Sequence, residues 1–185
     1  MEKILEVRWH GRGGLGAVTS AELVARAAAH EGKYAQSFPS FGPERRGAPV
    51  VVFLRISDEF IRTRTNIYEP DFVVILDPRL LRVVNVTAGL KESGKIVVNS
   101  RKLPQQLKSD FGFKWPVASV DATKIARETI KLPITNTAMI GAFLKVAEVV
   151  RLDSLIGELK ERFEARAEAN IQAMKRAYNE TMIKE

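Results

Sequence analysis

Cysteine is absent from all 185 residues. That excludes disulfides, thiolate nucleophiles, iron–sulfur ligation and Cys-type zinc sites. Histidine is nearly absent too, and His10 and His30 alone are too few for a His-rich metal site. No run of about 18 apolar residues occurs, so no membrane span is expected. Met1-Glu2-Lys3 leads straight into a β-type run without a signal-peptide pattern, which makes cytoplasm the expected location. Repeats, low-complexity tracts and linkers are also missing. The length suits one domain over 1–185, with an α/β core at 1–132 and helices at 133–185.

What is present is ordinary in composition, with 45% apolar and 28% charged residues. The net charge is +7, from 29 Lys and Arg against 22 Asp and Glu. Such a balance permits nucleic acid or an acidic ligand. The charge is not gathered in one tail, however, and no aromatic-and-basic platform appears. A solvated surface, or a face for an acidic protein partner, is favoured over nucleic acid.

The chain is organised around residues 7–16, V-R-W-H-G-R-G-G-L-G. A β-type run (Ile4, Leu5, Val7, Trp9) meets Gly11, Gly13, Gly14 and Gly16, and an alanine-rich helix follows over 15–31. Strand, glycine turn and helix together point backbone N–H groups and a helix dipole at a bound anion. Gly11, Gly13 and Gly16 also satisfy G-x-G-x-x-G. A tight turn for strand–helix packing, or for contact with another protein, has the same pattern.

Beyond it, a strand is expected at 33–38 and a loop at 39–47, P-S-F-G-P-E-R-R-G. A strand at 48–56 should pair in a hairpin with the alternating 60–65, F-I-R-T-R-T. A buried strand at 72–76 ends at Asp77-Pro78, read as the N-cap and first turn of a helix to about Leu90. Strands at 95–99 and 116–120 alternate with helices at 101–110 and 122–130, the second capped by Asp121. Helices then follow at 136–150, 152–163 and 165–183. The first of these is apolar enough to be buried. Along the last, Ala167, Ile171, Met174, Tyr178 and Met182 make a stripe that packs on its own domain. The fold class is therefore α/β: three layers (α/β/α), a mixed, mostly parallel, Rossmann-like sheet and a helical C-terminal extension.

A nicotinamide dinucleotide site needs an acid at the end of the second strand. That strand ends Gln36-Ser37-Phe38, so a stand-alone dinucleotide enzyme is a minor reading. No Gly-Lys-Ser/Thr follows the glycines, which excludes a P-loop. His10 is the only histidine near the turn, and hydrogen bonding to its own loop is its favoured role. No nucleophile–base set and no spaced acid pair appears, so the chain reads as binding surface rather than a complete enzyme. Its candidate binding residues are Gly11, Arg12, Gly13, Gly14 and Gly16 with Glu44, Arg45, Arg46 and Asn136. Arg45 and Arg46 suit either a phosphate-rich ligand or a partner's carboxylates. Glu44 would hold one of those arginines. Asn136 offers either an amide at a helix N-terminus or an N-cap.

Three ordered motifs, H-G-R-G-G-L-G, S-F-G-P-E-R-R-G-A-P and N-T-A-M-I-G-A-F, resemble the gamma subunit of 2-oxoacid:ferredoxin oxidoreductases, above all that of the pyruvate enzyme (pyruvate synthase). The resemblance covers essentially the whole chain. It implies a complex of alpha, beta, gamma and delta subunits that turns a 2-oxoacid and coenzyme A (CoA) into acyl-CoA and CO2 and reduces ferredoxin. Thiamine diphosphate, magnesium and iron–sulfur clusters would belong to the other subunits. CoA would be handled at this chain's surface, through its glycine turn and arginines, unless those motifs are subunit contacts. The branched-chain 2-oxoacid enzyme is the alternative complex.

Overall fold

A computed structural model describes residues 4–40 and 47–185. Among the described residues seven strands form one sheet in the order β2-β3-β1-β4-β5-β6-β7. These are β1 (Leu5–Arg12), β2 (Tyr34–Pro39), β3 (Pro49–Ser57), β4 (Phe72–Ile75), β5 (Lys95–Asn99), β6 (Val117–Val120) and β7 (Met182–Lys184). β1, β4, β5 and β6 are parallel neighbours. β3 runs against both β1 and β2, and β7 runs against β6. Five strands thus point one way and two the other, a mixed sheet in which the parallel direction dominates.

The helices are α1 (Ala17–His30), α2 (Pro104–Phe111), α3 (Ala122–Thr129), α4 (Asn136–Ala147), α5 (Ser154–Phe163) and α6 (Ala167–Glu180). Alternation along β1 sends Val7 and Trp9 to one face and Arg8 and His10 to the other. On the first face Val7, Trp9, Leu54, Val74 and Val97 join α1 and α4 in the main core. Trp9 and Phe72 both meet Phe143 of α4 edge to face, at 5.3 and 5.7 Å. The helix α4 is sheathed on its far side by α6, and it buries even Asn136 and Thr137. The two helices touch at Gly141, where a Cβ would stand 2.0 Å from the Met174 carbonyl oxygen. Of the expected stripe, Ala167, Ile171 and Met174 face inward, Tyr178 is half-buried, and Met182 is exposed on β7. On the second face a smaller core of Val73, Ile75, Ile96 and Val98 lies under Leu80, Val86, Leu90 and Leu107.

Several expected boundaries move. β1 continues through Gly11 and Arg12 because both pair with β3. Residues 60–65 form no strand. Both edges of β3 are already taken by β1 and β2, so the alternating pattern there has no ladder to join. The helix expected to Leu90 is only a 3-10 turn, Pro78–Arg82. Asp77 does cap it, accepting from the Arg79 N–H at 3.0 Å, but the β-branched Val83, Val84, Val86 and Thr87 resist propagation. The last helix stops at Glu180. Thr181 turns extended, and Met182–Lys184 pairs with β6. No helix among the described residues is long and apolar enough to cross a membrane.

Candidate functional site at the carboxyl edge of the parallel strands

In this sheet the chain leaves β1 toward one edge through α1, and β4 to β6 build toward the other. Parallel α/β sheets bind at such a reversal, outside the carboxyl ends of the strands. The glycine turn lies there. Its first part is tied down internally: the Gly13 N–H donates to the Ala48 carbonyl at 3.2 Å and the Leu15 N–H to the Arg12 carbonyl at 3.0 Å. Gly14 (φ 94°) is exposed with open space around it. Gly16 (φ 77°) caps α1 in the left-handed region, where a side chain is strained.

Gly16 also has no room. A Cβ there would meet the Asn136 amide nitrogen at 2.8 Å. The fold therefore brings Asn136, 120 residues on, against the glycine turn, and the N-termini of α1 and α4 converge. Ser20 Oγ laces them, donating to the carbonyls of Gly16 at 3.0 Å and Asn136 at 3.3 Å. Asn136 Oδ1 accepts from the Thr137 N–H at 2.8 Å. That is a cap-like contact, although Asn136 is itself the first helical residue. Thr135, before it, is buried with its hydroxyl unpartnered among the described residues. The junction is closed to solvent, since Ser20, Thr135 and Asn136 are all buried.

Arg12 turns away from that junction. Its Nε donates to Asp77 Oδ2 at 2.8 Å and its Nη1 to the Gly47 carbonyl at 2.9 Å. The guanidinium thus ties the end of β1 to β4 and to the chain entering β3. Arg79 holds the same carboxylate, Nη2 to Oδ2, at 2.7 Å. Burial alone would raise the Asp77 pKa. The Arg79 hydrogen bonds and charge, with the bond from Arg12, outweigh it and hold the carboxyl below its usual range. Glu44, Arg45 and Arg46 lie outside the described residues.

His10 does not hydrogen-bond its loop among the described residues. Its Nε2 is buried and unpartnered. Burial, then the Arg8 charge, lowers its pKa to about 3, so the imidazole is neutral at working pH. Arg8 reaches the Val86 and Ala88 carbonyls at 3.0 and 2.5 Å.

Further along the edge lies Asn99, for which no role was expected, beside the expected cap Asp121. Asn99 Nδ2 donates to the Leu76 carbonyl at 2.8 Å and to Thr123 Oγ1 at 3.0 Å. Asp121 caps α3 through the Lys124 N–H at 2.9 Å. With Arg101 and Arg127 they line a depression of about 360 Å³. The available signal was positional, since Asn99 ends one apolar strand and Asp121 immediately follows another.

A mixed α/β sheet whose first strand passes through a glycine turn into α1 defines the class of the chain. Residues 6–180 match the pyruvate ferredoxin/flavodoxin oxidoreductase family, and the chain belongs to that family. It is similar to the pyruvate/ketoisovalerate oxidoreductases common subunit gamma of Thermococcus kodakarensis, with 51% identity covering 98% of this chain and 100% of that one. Pyruvate synthase subunit PorC of Methanothermobacter thermautotrophicus is 49% identical, over 96% of each. The crystal structure of pyruvate oxidoreductase subunit PORC from Thermotoga maritima superposes with a TM-score of 0.90 at 38% identity, covering all of both chains.

Proposed function

We propose that this chain is the non-redox gamma subunit of a pyruvate:ferredoxin oxidoreductase. That complex converts pyruvate, CoA and oxidised ferredoxin to acetyl-CoA, CO2 and reduced ferredoxin. The observation that carries the reading is end-to-end similarity to gamma and PorC subunits in a chain without a single cysteine. Alpha, beta and delta subunits supply thiamine diphosphate, magnesium and the clusters, in the cytoplasm, and this chain is not catalytic alone. Residues 1–185 act as one gamma domain.

CoA handling is the contribution assigned to the carboxyl edge. CoA carries phosphate groups, and the glycine turn leading into the N-terminus of α1, exposed at Gly14, is the part of that edge suited to them. Arg12 is engaged with Asp77 and Gly47. Arg45 and Arg46 are therefore the cations proposed to meet phosphate, with Glu44 beside them. The intact complex carrying Arg45→Ala and Arg46→Ala should show a raised KM for CoA with little change in KM for pyruvate. Loss of assembly with an unchanged KM for CoA would assign the motif to a subunit contact instead.

A second reading is favoured by one observation, that the Thermococcus relative is named as common to pyruvate and ketoisovalerate enzymes. On that reading this subunit also serves a branched-chain 2-oxoacid enzyme, and substrate choice lies in other subunits.

A further inference from the structure

We infer that the open edge of β2 is the docking site for an extended, acid-bearing segment of a partner subunit. This rests on the gamma-subunit reading, which supplies the partner. Among the described residues β2 pairs only with β3, so one side of it carries no ladder there. Ser40 N–H donates to the Val51 carbonyl at 2.8 Å, continuing the register that pairs Phe38 with Phe53 and Gln36 with Arg55. Hydrogen-bonded pairs alternate in an antiparallel ladder. The backbone groups of Ala35 and Ser37 therefore point outward, and no partner for them exists among the described residues. Pro39 falls in the same outward set, where its missing N–H costs nothing.

A depression of about 610 Å³ follows this edge, lined by Ala35, Gln36, Ser37, Phe38 and Arg64. Four consecutive strand residues point to alternate faces, so one depression touching them all runs along the backbone edge. Its far wall is set by the segment that follows β3. Gln36 Nε2 pins that segment, donating to the Ile61 carbonyl at 3.1 Å. Tyr34 and the exposed Phe60 meet edge to face at 5.7 Å at one end.

The strand shows few of the devices that protect a free edge. It holds no charged residue and no bulge, and only its last residue is proline. Such an edge needs a cover in the assembled protein. Charge indicates what covers it. Arg62 and Arg64 are exposed and form no ion pair among the described residues, so the incoming strand supplies a carboxylate. A second copy pairing β2 to β2 offers none, because Tyr34-Ala35-Gln36-Ser37-Phe38-Pro39 contains no acid.

The test uses the complex purified with its other subunits and carrying Tyr34→p-benzoylphenylalanine. Irradiation should cross-link position 34 to one peptide of another subunit, and that peptide should contain Asp or Glu. Arg64→Glu should reduce the cross-link at least tenfold, while Arg64→Lys retains it. Cross-linking to a second copy of this chain, only within this chain, to nothing, or with a yield indifferent to Arg64→Glu overturns the inference while leaving the subunit reading intact. If no complex can be purified at all, the subunit reading fails first and takes this inference with it.

Discussion

Adding one methyl group at each of two helical glycines should move stability in opposite directions. Alanine in a helix interior is favoured over glycine by about 0.5–1 kcal/mol, because the unfolded glycine has more freedom to lose. At Gly157 in α5 a Cβ meets nothing within 4 Å, so Gly157→Ala should gain about that amount. At Gly141 in α4 the same Cβ lies 2.0 Å from the Met174 carbonyl oxygen, 2.9 Å from its carbon and 3.1 Å from the Tyr178 nitrogen. Those are backbone atoms of α6, so relief requires the two helices to separate by more than an ångström. Overpacking of that kind costs about 1–3 kcal/mol and disturbs the dry seam between them. Gly141→Ala should therefore lose about 1–2 kcal/mol net, leaving the two variants about 2–3 kcal/mol apart. Urea unfolding followed by circular dichroism reads this as midpoints shifted in opposite senses at an unchanged slope. A Gly141→Ala variant as stable as the parent would refute the close helix crossing.

The buried His10 should make stability fall in mild acid. Its folded pKa is about 3 against about 6.5 unfolded, so between those values the unfolded state binds a proton that the folded state refuses. Each pH unit lost in that window costs about 1.4 kcal/mol, or about 2 kcal/mol from pH 6.5 to 5. His10→Gln should flatten that slope, and an unchanged slope would mean that the imidazole is hydrated. The Asp77 carboxyl acts in a lower window: its folded pKa is depressed, so its contribution is present above about pH 4 and lost as pH falls further. Asp77→Asn should cost about 1–3 kcal/mol at neutral pH, since it leaves Arg12 and Arg79 without their carboxylate. Thermal melts that match the parent at neutral pH would show that the two arginines pair with water as well as with Asp77.

The most readable elements in the sequence were those whose neighbours are local. The glycine turn into α1, the buried α4 and the Asp77 and Asp121 caps carry their signals within a few residues. Elements decided by distant pairing were misread. Residues 60–65 have a strand's alternation, but β2 claims the free edge of β3. Met182–Lys184 is three residues long and becomes a strand because β6 presents an open edge to it. The site divides along the same line. Strand–turn–helix chemistry indicated the glycines. That Arg12 is consumed by Asp77 and Gly47, or that Asn136 rests on Gly16, depends on contacts 35 to 120 residues apart that no local pattern encodes.

This cysteine-free chain is proposed to work inside an iron–sulfur oxidoreductase. Anaerobic affinity purification of the chain from its own host tests it most directly, through the masses that accompany it and the visible absorbance of the product. A brown complex with at least two larger or cysteine-rich partners is expected, and its colour cannot come from this chain. A colourless monomer or homodimer, recovered without partners, would contradict it.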